Sequence, residues 1–286
     1  VKIREERSAY YFILPAVIMF AALVAIPIFL TFLYSFQQRS LVRWKWIGIE
    51  NYTDLLTDPY FINALQNTVT FVIILVPVVV LLTFMVSLQV TPLRSGLRVF
   101  FRAAFYIPVV ASGVVIGMVW IWIFDPNYGL LNYLLSLVGA EPVVWLSSKG
   151  TLYYLIFVVF TFVFGLPFII YIAAMGNIPQ QLLEAARIDG AKKRTITWKI
   201  VFPLLKPVTF FIVVTQTIFI FMVFVVIQLL TDGGPARQTE TVIYSLYKTA
   251  FQFLEFGRAS AMGVILLILV MVISILQRLF AGRDLE

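Results

Sequence analysis

The sequence predicts an all-α integral membrane protein with six transmembrane helices, and three observations carry that prediction. The chain of 286 residues is 62% hydrophobic and only 12% charged, and its mean hydropathy is +0.99, far above that of a water-soluble domain. Six apolar stretches, 11–36, 65–90, 103–124, 152–175, 208–230 and 259–280, each reach the roughly 20 residues that a helix needs to cross a bilayer. The charges gather between those stretches rather than inside them. A single transmembrane domain is expected over 1–286, with a core of about 11–280 and no tandem repeat or low-complexity segment.

The first stretch is too long for the core of a signal peptide, and no small-residue cleavage pattern follows it, so it is expected to stay as a helix. The distribution of charge then sets the orientation. The N-terminus, the loop after the second stretch, the loop after the fourth and the C-terminus together hold 14 Lys and Arg, against 7 in the other three loops. Acidic residues divide 6 and 8. The positive-inside rule puts the richer side, and both termini, in the cytoplasm. The closing Leu285-Glu286 pair is expected to be an expression-vector remnant and is left out of the fold.

The loop after the fourth stretch, 176–206, is the most polar part of the chain: Glu184 to Pro207 alone holds eight charges. One charge at the centre of a bilayer costs roughly 2.5–3.5 kcal/mol, so inserting eight would cost on the order of 20 kcal/mol, and this segment must lie outside. Helix formers on both sides of Gly190 predict two short helices with a turn at that glycine. Pro203 and Pro207 are expected to interrupt the helix where the chain returns to the membrane. Among the outer loops, 50–56 and 127–135 mix apolar and polar residues at near-helical spacing and predict short interfacial helices. Trp44, Trp46, Trp120, Trp122 and Trp145 fall near the outer boundary, as an aromatic belt would.

Composition also excludes several chemistries. Cysteine and histidine are absent, which removes disulfides, Cys/His metal sites and Ser-His-Asp or Cys-His nucleophiles. The net charge of +7 is accounted for by basic topogenic loops and needs no nucleic-acid surface. No G-x-x-x-x-G-K-[ST] motif is present to cradle ATP phosphates, so the chain itself is expected to be no enzyme.

Glu184-Ala185-Ala186, Gly190 six residues after Glu184, then Ile200, Phe202 and Pro203, resemble the EAA loop of binding-protein-dependent ABC importer permeases. That pattern reads EAA, three residues, G, nine residues, I-x-L-P, and Phe202 stands where Leu is usual. Thr231-Asp232-Gly233-Gly234-Pro235, Thr239-Glu240-Thr241, Asn51-Tyr52 and Tyr128-Gly129-Leu130-Leu131-Asn132 are similar to the carbohydrate-uptake group, on the side of the maltose transporter's larger permease. The resemblance covers nearly the whole chain. It implies the type I ABC importer permease fold in a core six-helix version, without that permease's extra N-terminal helices and large outer insertion.

Function follows from the same resemblance as an expectation: a permease subunit of an ATP-driven importer that moves a sugar, most simply an oligosaccharide, into the cytoplasm by alternating access. The implied partners are a second homologous permease, a dimer of ATPase subunits that binds ATP and Mg, and an extracytoplasmic solute-binding protein. The implied location is a bacterial or archaeal plasma (inner) membrane. In this family the EAA loop docks on the ATPase, which assigns Glu184, Ala185, Ala186, Asp189 and Gly190 to coupling. Small alanines allow close approach, Glu184 supplies a charge for a basic groove, and Gly190 sets the angle between helices. A plain positive-inside loop accounts for the basic residues but not for Glu184, Asp189 or the glycine. The rival of another class, a secondary carrier or channel, usually carries an ionisable residue within the membrane, and the six stretches are essentially free of them.

Helix breakers and polar groups within the spans mark a candidate path. Pro167 frees a carbonyl one turn earlier, and Gly165 removes the side chain beside it. Phe164 and Phe168 offer ring faces to a sugar, although the stretch equally fits a proline kink packed on a neighbour. Gln216 is the leading side chain, because an amide both donates and accepts as sugar hydroxyls require; an interhelical hydrogen bond is its structural alternative. Ile220 follows one turn later on roughly the same face. The resemblance places Gln216 at a sugar-contacting position, with Phe164, Gly165 and Phe168 at similar positions of the fourth helix. The small residues Gly257, Ala259, Ala261 and Gly263 are expected to serve helix packing.

Overall fold

The computed structural model describes residues 2–148 and 150–282, so the Leu285-Glu286 pair lies outside it. Among the described residues, four helical stretches are long and apolar enough to cross a membrane: Tyr10–Tyr34, Pro59–Val90, Lys193–Phe221 and Phe256–Leu279. Two bent pairs, Ser95–Val110 with Gly113–Ile123 and Thr151–Val163 with Gly165–Gly176, bring the number to six. This is the all-α, six-span architecture that the sequence predicts. The chain divides into two compact units: the part up to Ile62 with Ser245–Ile268, and Asn63–Tyr244 with the part from Leu269 onward.

The chain opens with α1 (Lys2–Phe20), a π-helical turn at Ala21–Ala25 and α2 (Ile26–Tyr34). Pro27 follows the π-turn by two residues. A proline ring presses on the carbonyl four residues back, here that of Leu23, and the wider turn gives it room. The spanning window of this rod is 0% buried. A hairpin that the sequence did not predict follows, β1 (Gln37–Arg39) and β2 (Trp44–Trp46), antiparallel with Gln38 opposite Lys45. Next come α3 (Glu50–Thr57), the first predicted interfacial helix, and α4 (Pro59–Val90).

The third span departs from expectation. It is not one helix over 103–124 but α5 (Ser95–Val110) and α6 (Gly113–Ile123), bent by 99°. Ala111 and Ser112 take extended backbone (ψ 139 and 141), and the Ser112 hydroxyl accepts the Val114 N–H at 3.3 Å to start the second helix. Pro108, one turn earlier, already weakens α5 at that end. Beyond it lie α7 (Leu130–Leu137), the second predicted interfacial helix, and the fourth span, α8 (Thr151–Val163) and α9 (Gly165–Gly176), with a 41° bend at the predicted Gly-x-Pro site.

The polar loop also differs in one respect. α10 (Gln180–Ile188) is the first predicted short helix, but the second does not stand alone. α11 (Lys193–Ile196), a π-turn at Thr197–Val201 and α12 (Phe202–Phe221) run on as one 29-residue helix. Pro203 and Pro207 therefore do not interrupt it. Pro203 presses on the Lys199 carbonyl, which lies inside the π-turn, as Pro27 does in the first span. The fifth span instead breaks further along, at 222–224, before α13 (Val225–Leu230). α14 (Val242–Tyr247), a π-turn at Lys248–Gln252 and α15 (Phe256–Gly282) complete the chain.

Candidate functional site

α10 begins after Pro179, and its residues divide by face. Leu183 and Ala186 turn inward, Leu183 against a buried cluster containing Met175, Ile178 and Val201. Gln181, Glu184, Ala185 and Ile188 share the opposite, exposed face at i, i+3, i+4 and i+7 spacing. The two alanines of the motif therefore part company: Ala185 faces out, while Ala186 is buried and lets α10 lie close to its own protein. Ile188, 85% exposed beside Glu184, is an apolar knob that sequence reasoning misses. Its signal is present, since it falls one turn after Glu184.

Gly190 ends the helix for a backbone reason. Its N–H bonds the Arg187 carbonyl at 3.0 Å, and the Ala191 N–H bonds that of Ala186 at 2.9 Å. That pair of bonds is a Schellman cap, which requires a left-handed residue. Gly190 has φ +76, and a Cβ there would meet nothing within 4 Å, so conformation rather than space selects glycine. Asp189 is the exposed C-cap. Three residues after Gly190, at Lys193, the chain enters the long helix through α11 and α12. The base of that helix is fixed by rings: Trp198 on Phe202 (5.4 Å) and Phe84 (6.0 Å), and Phe84 on Tyr171 (5.6 Å). The Tyr171 hydroxyl meets Thr209 at 3.0 Å. These rings tie α4, α9 and α12 to the loop.

The residues expected to line a path are buried. Phe168 is 0% exposed, edge-on to Phe105 at 4.9 Å, and Phe164 lies 5.1 Å from the same ring. Neither presents an open face to a passing solute. Gly165 lets α5 come close: a Cβ there would strike the Phe105 carbonyl and lie 2.6 Å from a Val109 methyl. Phe164 and Phe168 belong to a cluster with Val90 and Ile172, whereas Ile212, one turn before Gln216, belongs to the cluster of Tyr171. Gln216 is buried with its Oε1 unpartnered among the described residues. A buried amide oxygen without a donor costs roughly 1–3 kcal/mol, so a group that supplies one is favoured there. Ile220 is buried one turn on, just before the break at 222–224. Beyond the two broken spans, α6 and α13 pack on each other, with Gly117 placed so that a Cβ would lie 2.9 Å from Leu229. Broken helices of this kind line cavities in transporters. Ser112-Gly113 after Pro108 is a readable sign of the first break; Met222-Val223-Phe224 gives no sign of the second.

The family described as "Binding-protein-dependent transport system inner membrane component" matches residues 61–283. The chain belongs to this family. It is a permease subunit of such a transport system. It is 30% identical over 275 residues to the sn-glycerol-3-phosphate transport system permease protein UgpA of Agrobacterium fabrum, covering 91% of this chain and 94% of that one. It is 36% identical over 278 residues to the probable ABC transporter permease protein YurN of Bacillus subtilis, covering 95% and 94%. A chain of the bacterial alginate ABC transporter, solved in complex with an alginate pentasaccharide-bound periplasmic protein, superposes with a TM-score of 0.87 over 99% of this chain and 96% of that one. At 22% identity that likeness shows the fold.

The other patterned loops of this permease turn inward. Asn132 is buried and makes four bonds, to the carbonyls of Pro126 and Val143, the Val143 N–H and the Trp145 indole, each 3.0 Å. Asn51 donates to the carbonyls of Ser35 (2.8 Å) and Gln37 (3.0 Å), and Tyr52 bonds the Ser35 hydroxyl at 2.6 Å. In the Gly-Gly-Pro loop, Thr239 bonds Thr231 at 2.8 Å and the Gly234 carbonyl at 2.7 Å, while Asp232 meets Tyr244. Asn63 and Asn67 of α4 hold the Arg237 and Glu240 carbonyls at 2.8 and 3.0 Å.

Proposed function

We propose that this permease imports a sugar, most simply an oligosaccharide, paired with a second homologous permease on an ATPase dimer that binds ATP and Mg. One observation carries the proposal: an exposed Glu184–Ala185–Ile188 face sits on a Schellman-capped helix that leads directly into a membrane span. Movement of a docked ATPase would shift α10 and, through Trp198, Phe84 and Tyr171, rock α4, α9 and α12 as a body. Both termini and α10 lie in the cytoplasm of a bacterial or archaeal cell in this reading, because basic residues concentrate there. An extracytoplasmic binding protein delivers the solute to the opposite side.

A neutral polyol suits the path. The stretches 59–90, 103–123, 151–176, 207–231 and 259–277 contain no Asp, Glu, Lys or Arg, so nothing at depth answers a fixed charge. Gln216 is the proposed contact, its open Oε1 accepting from a sugar hydroxyl. Gly165 sets the close approach of α5, and Phe164, Phe168 and Ile220 shape the wall behind it.

The test is affinity purification of the tagged protein from its own membranes, followed by transport assays of the recovered complex. A P-loop ATPase and a second six-helix permease should co-purify, and uptake should require ATP. Recovery alone, with transport that ignores ATP, would replace this reading by a carrier. Within the complex, Gln216→Leu should cut uptake several-fold at unchanged expression, since a lost hydrogen bond is worth about 1 kcal/mol. Unchanged uptake would remove Gln216 from the path.

A further inference from the structure

Between α12 and the C-terminal half of α15 runs a groove of about 400 Å³. Phe210, Phe211 and Val214 form one wall, Met271 and Ile275 the other. Gln277 ties the two helices together, its Nε2 donating to the Thr217 hydroxyl at 2.8 Å. Two polar residues of α15 also line the groove, Ser274 and Arg278. On α12, Thr215 and Thr217 donate their hydroxyls to the carbonyls of Phe211 and Val213, one turn back, each at 2.8 Å, which is the usual way a helix absorbs such groups. Ser274 does not: its Oγ is buried and has no partner among the described residues. Arg278 is exposed and forms no ion pair among them. It lies in the last turn of the spanning stretch Phe256–Leu279, so its guanidinium must reach out of the hydrocarbon to the headgroup level.

The order of these groups along α15 says what fits. From the middle of the span outward come the apolar Met271, the hydroxyl of Ser274 and the guanidinium of Arg278, the last two about 6 Å of helix rise apart. A glycerophospholipid presents an acyl chain, an ester carbonyl and a phosphate in the same order. A hydroxyl donates to an ester carbonyl, and a guanidinium matches phosphate oxygens with paired N–H groups. A zwitterionic headgroup carries its own cation beside the phosphate, so a lipid of net negative charge answers Arg278 better. A helix of a second permease fits less well. Close helix packing needs small residues, and Ser274 is the one small side chain on these walls, unlike Gly257, Ala259, Ala261 and Gly263 at the other end of α15. The volume is about that of one helical turn 10 Å across, too little for a second span but enough for a flexible chain.

We propose that this groove holds one anionic glycerophospholipid, with an acyl chain between α12 and α15, an ester carbonyl on Ser274 and the phosphate on Arg278. The inference needs only that the chain spans a membrane, so it stands or falls apart from the solute and from ATPase docking. The probe is phosphatidylglycerol with a photoreactive diazirine in one acyl chain, added to the permease in the complex recovered from its own membranes. Labelling should map to 210–214 and 271–275. Unlabelled phosphatidylglycerol should displace the probe about fivefold better than phosphatidylcholine, the factor expected of one arginine at a membrane surface. Arg278→Gln should erase that preference and Arg278→Lys should keep most of it. Met271→Trp fills the slot without altering charge and should cut labelling several-fold. Labelling of the wild type that ignores the headgroup would reduce the contact to ordinary surrounding lipid and overturn the site, whether or not Arg278→Gln folds. Undiminished labelling of Met271→Trp would do the same. Displacement by inorganic phosphate alone would leave a bare anion site in place of a lipid one. Because the chain has no cysteine, Ile275→Cys can carry a single photo-crosslinker, which should capture lipid; capture of a second permease instead would give the groove to that subunit.

Discussion

Glu184, Ala185 and Ile188 on α10 point away from the protein, whereas Asn51, Asn132 and Thr239, in the loops at the other end of the spans, point into it. Both sets belong to family patterns, yet one is a surface and the other is scaffolding. The difference lies in what each residue bonds. The α10 face leaves its side chains exposed to whatever meets it from outside the chain. The loop asparagines spend theirs on backbone groups that would otherwise be stranded where neither water nor a regular helix reaches them. A shared motif therefore says that a position matters, and only the hydrogen bonds say whether it matters for function or for folding.

The widest separation between the two regions should appear in transport. Glu184→Lys and Ile188→Asp should each lower uptake about tenfold or more, because both belong to the exposed face of α10. The melting temperature should hardly move for Glu184→Lys, since exposed substitutions away from caps stay within about 0.5 kcal/mol, and should fall slightly more for Ile188→Asp, which puts an acid beside the C-cap of α10. Normal uptake by both variants would show that α10 docks nothing. Asn132→Ala should behave in the opposite way. It strands several buried groups, costs about 1–3 kcal/mol and lowers the melting temperature, while uptake per folded molecule stays near normal. Loss of uptake at full stability would give that loop a functional role.

Gly190 sharpens the comparison at smaller scale. With space around the missing Cβ but φ at +76, Gly190→Ala should cost about 1 kcal/mol, and Gly190→Asn distinctly less, because Asn tolerates the left-handed region. Equal costs for the two would point to crowding instead. The smallest effect concerns pH. The Asp125 carboxylate accepts the N–H groups of Asn127 and Tyr128, both at 2.8 Å, and these bonds hold its pKa below the ordinary 3.8. The charged form is favoured in the folded loop, so its stabilisation is complete above the ordinary value and is lost as pH falls through the lowered one. The difference in melting temperature between the wild type and Asp125→Asn should be steady near neutrality and shrink below about pH 4. A difference that persists in stronger acid would assign the effect to shape rather than charge.

Much of the fold is legible in the amino-acid sequence. Long apolar stretches can only be helices in lipid, because every backbone donor must be satisfied within its own segment. The spans, α3, α7, α10 and the turn at Gly190 follow from composition and from residues with few conformational options. The breaks are less legible. Ser112-Gly113 after Pro108 announces a bend without its 99°, and Met222-Val223-Phe224 announces nothing. Pro203 suggests an interruption because a proline's clash is local information, while the π-turn that absorbs it is a response of the whole helix.

The sequence by itself determined that this chain spans a membrane, where its charges must lie and which loop carries the EAA pattern. Each of those is a one-dimensional property of transfer energy or spacing. Tertiary structure alone decided that Ala185 faces out while Ala186 packs in, that Phe164 and Phe168 are covered by Phe105, and that Gln216 retains an open acceptor. It also brought Glu255, some two hundred residues further along the chain, beside the hairpin and α3 around one cavity. Burial and pairing are properties of which segments meet, and in lipid that choice is made by close packing between faces that look equally apolar in the sequence.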